Sequence, residues 1–316
     1  MKNKWLVMLI SALCLFNFGF TKTKSTVQNY FSEKQFNSFF PRRNNFYSYT
    51  SFIKAVSSLS FIKIRIEKRG EWIYKITRTD KRTGQETVVR QDQDWNEAWA
   101  KTMPYRTFSI HYTDFCSSND INVNKKELAA FFAHIAHETR NGINNKYNDG
   151  LMLNHELDTN VNYIAANVNY PAVNGKKYYG RGPIQLSYNS NYGFASDCIF
   201  GDKNILLKNP SLVNTDAITA FETAIYFWMT PQGTKPSCHD VITGKWEPTA
   251  AEIQKGYKAG FGMTINIVNG ALECNKGTEM SAMKDRMGFY RYFLKKFDIK
   301  DSDYYCDCAK MQPFPV

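Results

Sequence analysis

The chain has 316 residues, 43% of them hydrophobic and 15% aromatic. That excludes a fibre or a disordered tail and supplies a core for one large domain or two lobes. The net charge of +11, from 40 Lys and Arg against 29 Asp and Glu, is scattered along the chain. Its densest basic stretch, 63–90, carries no nucleic-acid motif, so the charge reads as solubility.

The first segment, 1–20, reads as a signal peptide: Lys2 and Lys4 precede an apolar run over 5–20, and polar residues follow. The run is short of the ~20 residues a membrane-spanning helix needs. A secreted chain, free of the membrane once the signal is removed, is the expectation. Residues 21–30 read as a flexible polar lead. An aromatic-rich helical segment follows over 31–56, broken near Pro41. Over 61–90 the period changes: Ile62, Ile64 and Ile66 alternate with charged residues, as do Trp72, Tyr74 and Ile76. With turns at Gly70 and Gly84, this predicts a small antiparallel β-meander.

Asn124 and Glu127 form a capping-box-like helix start, after which Leu128, Phe131, Phe132 and Ile135 recur at helical spacing. The stretch 141–169, rich in Asn, Asp and Gly, predicts loop. Thr215 or Asp216 caps a helix running to Trp228, and a last helix covers 279–297. The sum is a mainly α fold with one small sheet. Beyond Cys14, which lies inside the signal segment, the cysteines are Cys116, Cys198, Cys238, Cys274, Cys306 and Cys308. An even number in an exported chain predicts disulfides.

Three features carry chemistry. Glu138 continues the apolar stripe of its helix, seven residues after Phe131 and three after Ile135. A carboxyl facing a core is costly unless protonated or paired, so it is either a buried structural group or a general acid with its pKa raised by burial. Arg286 lies three residues after Met283 and seven before Phe293, so it also faces inward and needs a carboxylate, with Glu138 and Glu273 as candidates. If the pair belongs to a glycosidase, a second carboxylate is required, ~6.5–9.5 Å away in an inverting enzyme. Glu156 fits as a loop-borne base, with Asp149 and Asp158 as competitors. The patch 178–187, YYGRGPIQLS, combines glycines and aromatics with neutral polar groups. It lacks the phosphate-loop pattern and suits a sugar.

These segments together resemble the family 19 chitinases, the plant class I/II enzymes and their bacterial relatives. Phe131-Phe132-Ala133 followed by His137-Glu138-Thr139 is similar to the acid-bearing helix of that family. YYGRGPIQLS and the Tyr188–Gly193 stretch are similar as well, as are Trp228 to Gln232, Lys235 to Val241, Asn266 to Gly270 and Asp285 to Tyr290, all in order. The resemblance covers roughly 120–308, with weaker similarity over 36–52. It implies a lysozyme-like, two-lobed helical domain with a cleft, spanning 31–308, with the 61–90 meander as an insertion and 309–316 as a C-terminal tail. It implies β-1,4 hydrolysis of chitin with inversion, without metal or cofactor, by an endo-acting monomer. Glu138 is then the acid, Glu156 the base, and Ser187 helps hold the attacking water. His137, Gln185, Asn191 and Asn269 contact the sugar, Arg286 and Glu273 form an ion-pair network, and Cys274 pairs with Cys308 (or Cys306). Cys198–Cys238 is a further candidate pairing. Two departures stand out: Arg140-Asn141-Gly142 replaces Thr-Gly-Gly or Gly-Gly, and Ser190 replaces a tyrosine common in plant members.

Three rival readings use the same residues. One is a peptidoglycan-cutting lysozyme or endolysin relative, since fold does not settle substrate. Another is a non-catalytic chitin-binding relative. The third is a metallohydrolase using His134, His137 and His155 or Glu156, although His134-x-x-His137-Glu138 is not the zincin pattern.

Overall fold

The computed structural model describes residues 26–141, 146–300 and 306–315. The expected signal segment, with Cys14, lies outside the described residues. The architecture is mainly α, with one four-stranded antiparallel sheet.

The central element is the helix Ile121–Glu138, most of whose residues are buried. It is enclosed by three others. Phe132 meets Phe293 of the helix Ser281–Lys296 at 5.9 Å between ring centroids, and Phe131 meets Trp228 of Ala217–Met229 at 5.7 Å. His134 meets Phe261 of Phe261–Glu273 at 5.0 Å. The aromatic-rich N-terminal segment forms the helices Glu33–Phe39 and Tyr49–Leu59. Their rings (Phe36, Phe39, Phe40 and Phe52) close over Phe132, so the aromatic surplus of the sequence goes first into the core.

The central helix starts earlier than its capping-box pattern predicts. Asp120 caps it by accepting from the Asn122 amide at 2.8 Å. Asn124 instead clamps Ser118, accepting from its N–H at 2.6 Å and donating to its carbonyl at 2.9 Å. The Glu127 carboxylate is buried, accepting from Cys116 N at 3.0 Å and Trp228 Nε1 at 3.0 Å and pairing with His239 Nδ1 at 2.6 Å. Tertiary partners took both groups that a local cap would have used. The helix Ala217–Met229 has Asp216 as its cap, and the last helix is Ser281–Lys296.

The sheet contains β1 (Ile62–Arg69), β2 (Ile73–Asp80), β3 (Gln85–Gln91) and β4 (Tyr105–His111), in the order β3-β2-β1-β4. The first three are the expected meander. The fourth, antiparallel to β1, lies beyond it. Its pattern is exposed throughout except for Ile110 and the half-buried His111, so it lacks the apolar alternation that marks a strand. The Ile residues of β1 face the main core. Arg78 of β2 caps the end of the helix Asn189–Phe200, donating to Cys198 O at 3.2 Å and Ile199 O at 3.1 Å. A cation at a helix C-terminus is favourable.

Both ends of the described chain are docked. Val27, within the expected flexible lead, is buried, and the Tyr30 hydroxyl donates to Cys116 O at 2.9 Å. In the C-terminal tail the Gln312 amide donates to Lys255 O at 2.9 Å, and Phe314 packs on Tyr257. Cys274 and Cys308 form a disulfide, with Cα atoms 5.0 Å apart. The Cys198–Cys238 pairing is not formed; both are buried thiols, as is Cys116. Burial pushes all three thiols up from their usual range, which keeps them unreactive.

Asp197, on the helix Asn189–Phe200, is almost fully buried, and burial pushes its carboxyl up to about 7. The folded state therefore holds a proton between about pH 4 and 7 that the unfolded chain has released, and stability falls as pH rises through that window. Asp197→Asn removes this penalty. The variant is expected to gain roughly 2–4 kcal/mol over the parent at pH 8 and little at pH 4. Urea midpoints at the two pH values measure it, and an equal gain at both would show that ionisation is not the cause.

Candidate active site

Glu138 is the last residue of the central helix, and its side chain is 20% exposed. Its Oε1 accepts from Arg286 Nη2 at 2.5 Å. Arg286 is fully buried, as its position in the last helix predicts, and it is held on the other side by Glu273. Nε reaches both carboxylate oxygens at 3.1 Å and Nη2 reaches one at 2.9 Å. Burial pulls the guanidinium's pKa down, but Glu138 and Glu273 outweigh it and the net shift is upward. Two carboxylates thus share one cation, and the Arg286–Glu273 pair does not depend on Glu138. Asn269 joins this group by donating to Glu273 Oε1 at 2.8 Å, from a non-helical kink inside its helix.

His134 completes the rear of the cluster. The Thr264 hydroxyl donates to Phe261 O at 2.7 Å, so it accepts from His134 Nε2 at 2.9 Å. His134 Nδ1 then accepts from Arg286 Nη1 at 3.1 Å. Burial, followed by the facing Arg286 cation, holds the imidazole well below its usual pKa and therefore neutral. Both ring nitrogens are taken, so this histidine has no lone pair left for a metal. His137 is held separately, with Nδ1 at 2.7 Å from Asp285. Arg140, the departure noted in the sequence, bonds Asp285 and grips Asp149 with Nη2 at 2.9 and 3.1 Å. Burial raises the pKa of Asp285, but His137 and Arg140 hold it lower than usual. Asp149 is buried and gripped by an arginine, which makes it a poor competitor for the role of base. Asp158 is exposed and caps a local turn at Asn160.

The loop after the helix is tied to the helix end. Thr139 accepts from Leu151 N through its hydroxyl at 2.8 Å, and its carbonyl accepts from Leu153 N at 2.8 Å. Gly150 lets this happen, because a Cβ there would meet Ala136 Cβ at 2.5 Å. Glu156 follows three residues after Leu153, a span of at most about 11 Å. Its backbone N–H donates to Gly180 O at 2.9 Å, while its Oε1 accepts from Gly180 N at 2.8 Å and its Oε2 from the Tyr163 hydroxyl at 3.0 Å. Gly180 is also where Gln185 and Ser187 converge, since a Cβ there would lie 2.8 Å from Gln185 Oε1 and 3.4 Å from Ser187 Oγ. Glu156, Gln185 and Ser187 therefore share one patch. The Ser187 hydroxyl donates to Gln185 O at 3.0 Å, and Asn191 Nδ2 donates to Ser187 O at 2.9 Å. Gln185 holds a left-handed φ of 52°, a strain concentrated at this patch.

The site residues read from the sequence thus fall into two groups. Glu138, Arg286, Glu273 and Asn269 form one, with His137 alongside on the same helix. Glu156, Ser187, Gln185 and Asn191 form the other, and the loop pinned at Thr139 joins the two. Sequence reasoning missed Tyr163, which sits in a polar loop with no pattern around it. It also missed the support that His134 gives Arg286; the inward helical spacing of the two residues was the available signal.

The fold and this arrangement define the class: a mainly α, lysozyme-like glycoside hydrolase fold. The family model for glycoside hydrolase family 19, chitinase class I, matches residues 92–308, and the chain belongs to that family. Inactive chitinase-like protein 1 of Hevea brasiliensis is 43% identical over 204 residues, 63% of this chain and 63% of the relative. An endochitinase of Solanum tuberosum is 42% identical over 207 residues, 64% of this chain and 62% of the relative. The chain thus spans less than two thirds of the length of these relatives. Chitinase C from Streptomyces griseus superposes with a TM-score of 0.59 at 28% identity, covering 88% of this chain and 96% of that one. A class IV chitinase from Zea mays gives 0.57 at 24% identity, over 90% and 100%, a likeness of fold. No described helix is long and apolar enough to cross a membrane.

Proposed function

We propose that this protein is a secreted endochitinase that hydrolyses β-1,4 N-acetylglucosamine linkages with inversion. The observation that carries the reading is the shared cation. Arg286 binds Glu138 while retaining Glu273, so Glu138 can leave it to meet a glycosidic oxygen without stranding a buried charge. Once free of the guanidinium, Glu138 takes up a proton from solvent and gives it to the leaving oxygen as the bond from C1 to that oxygen breaks. Glu156 takes a proton from the water whose oxygen bonds C1 from the opposite face of the sugar, and Ser187 beside it helps fix that water. His137, Gln185, Asn191 and Asn269 supply hydrogen-bonding groups for the acetamido sugars.

The kinship with an inactive chitinase-like protein favours one second reading, a chitin binder without turnover. The presence of both glutamates supports catalysis over it. The test is to incubate the full chain with chitin hexamer and with purified peptidoglycan and to follow product anomers by NMR. Turnover of the hexamer to α-anomeric products is expected, with loss of at least 100-fold in Glu156→Gln. Binding without turnover would establish the second reading, and faster cleavage of peptidoglycan would replace the substrate. Loss of activity in Asp158→Asn instead of Glu156→Gln would move the base.

A further inference from the structure

A cavity of about 670 Å³ is walled on one side by the four-stranded sheet, with Tyr74, Arg90 and Phe108 lining it. The opposite wall comes from Asn191 and Phe194 of the helix Asn189–Phe200 and from the 231–236 loop, with Trp246 at one edge. Strands β1 to β3 precede residue 92, where the family match begins, so most of this wall lies outside the matched segment.

The cavity adjoins the candidate site through Asn191. Asn191, in its wall, donates to Ser187 O. Lys235, also in its wall, donates to Ile267 O at 3.1 Å, two residues before Asn269. A chain leaving the cleft past Asn191 therefore enters this space. The lining chemistry says what kind of chain. Four cations (Lys68, Arg90, Arg106 and Lys235) face three carboxylates (Glu71, Asp240 and Glu252). Lys68 is neutralised by Glu71 at 2.7 Å, and Arg90 by Asp92 at 2.8 Å outside the lining. Arg90 is further occupied in stacking on Tyr74, at 4.8 Å to the ring centroid. With Lys68 and Arg90 paired, and Arg106 and Lys235 matched in number by Asp240 and Glu252, the lining offers an anion no net charge, and its aromatic rings and neutral amides suit a pyranose chain better than an anionic one. The volume lies within the roughly 300–1,000 Å³ of ordinary ligand clefts.

We infer that the sheet is an extension of the sugar groove: it binds the neutral hexosamine residues that continue beyond the cleft, and so sets a preference for long chains. The inference rests on the chitinase reading of the adjoining site.

The test compares chitin tetramer with hexamer on the full chain and on Phe108→Ala and Arg106→Ala. Both positions are partly exposed, so neither substitution threatens the core. Binding of each oligomer is measured by calorimetry in the Glu138→Gln background, and turnover in its absence. The expected result is a 5- to 10-fold weaker hexamer affinity and a matching loss in kcat/KM, with less than 2-fold change for tetramer. Equal effects on both oligomers, or none on either, overturn the inference alone. Hexamer binding that depends on Phe108 but leads to no turnover sinks the chitinase reading and leaves the groove standing. Failure of the unaltered chain to bind hexamer removes both. Tighter binding of polygalacturonate than of hexamer, lost in Arg106→Ala, would replace the neutral sugar with an anionic polymer and overturn the inference.

Discussion

Glu138→Gln is expected to lower kcat on chitin oligomers by at least 100- to 10,000-fold, the range over which a positioned proton donor acts. The fold should survive. An amide oxygen still accepts from Arg286 Nη2, and the guanidinium keeps its bonds to Glu273 and His134. The melting temperature should therefore stay within a few degrees of the parent, and oligomer affinity should stay nearly level. Chromatography of hexamer digests, with thermal melts run beside them, separates the two effects. Turnover within 10-fold of the parent would remove Glu138 as the acid; a collapsed melting transition would make it a structural group instead.

Arg286→Ala is expected to do the opposite kind of damage. It leaves Glu273, only 2% exposed, as an unpaired buried carboxylate, and it strips His134 Nδ1 of its donor. Breaking a buried pair by removing one partner costs about 3–5 kcal/mol. For a domain of this size that lowers the melting temperature by roughly 10 °C. Arg286→Lys should recover only part, because an ammonium cannot serve Glu273, Glu138 and His134 from one planar fork. Adding Glu273→Gln to Arg286→Ala should restore stability, though not activity, since the stranded charge is gone. A double variant no more stable than Arg286→Ala would show that the loss comes from packing around the arginine stem.

The inward faces of the two long helices were legible because helical spacing is a local signal. Glu138 and Arg286 could be placed against the core from their distance to Phe131 and Phe293 alone. The pairing with Glu273 was legible as a requirement of burial, since a buried guanidinium must find a carboxylate. The start of the central helix was not legible. Asn124 and Glu127 form a plausible local cap, and only the folded chain shows that Ser118, Trp228 and His239 claim them first. Strand β4 escaped because it leans on β1 by backbone pairing, with Ile110 as its one buried side chain. The thiols of Cys198 and Cys238 escaped for a related reason: an even count says nothing about which sulfurs are brought within reach.

The disulfide begins at Cys274, immediately after Glu273, and ends at Cys308, so it closes a loop that contains the helix carrying Arg286. That helix is therefore tethered covalently near one end and by its cation along its length. The Glu138 side of the candidate site is in effect a fixed jaw. In the proposed reaction, any yielding needed to admit a polymer and release its fragments falls on the opposite jaw, the Glu156 segment, which is held by hydrogen bonds to Thr139, Gly180 and Tyr163 with no covalent tether.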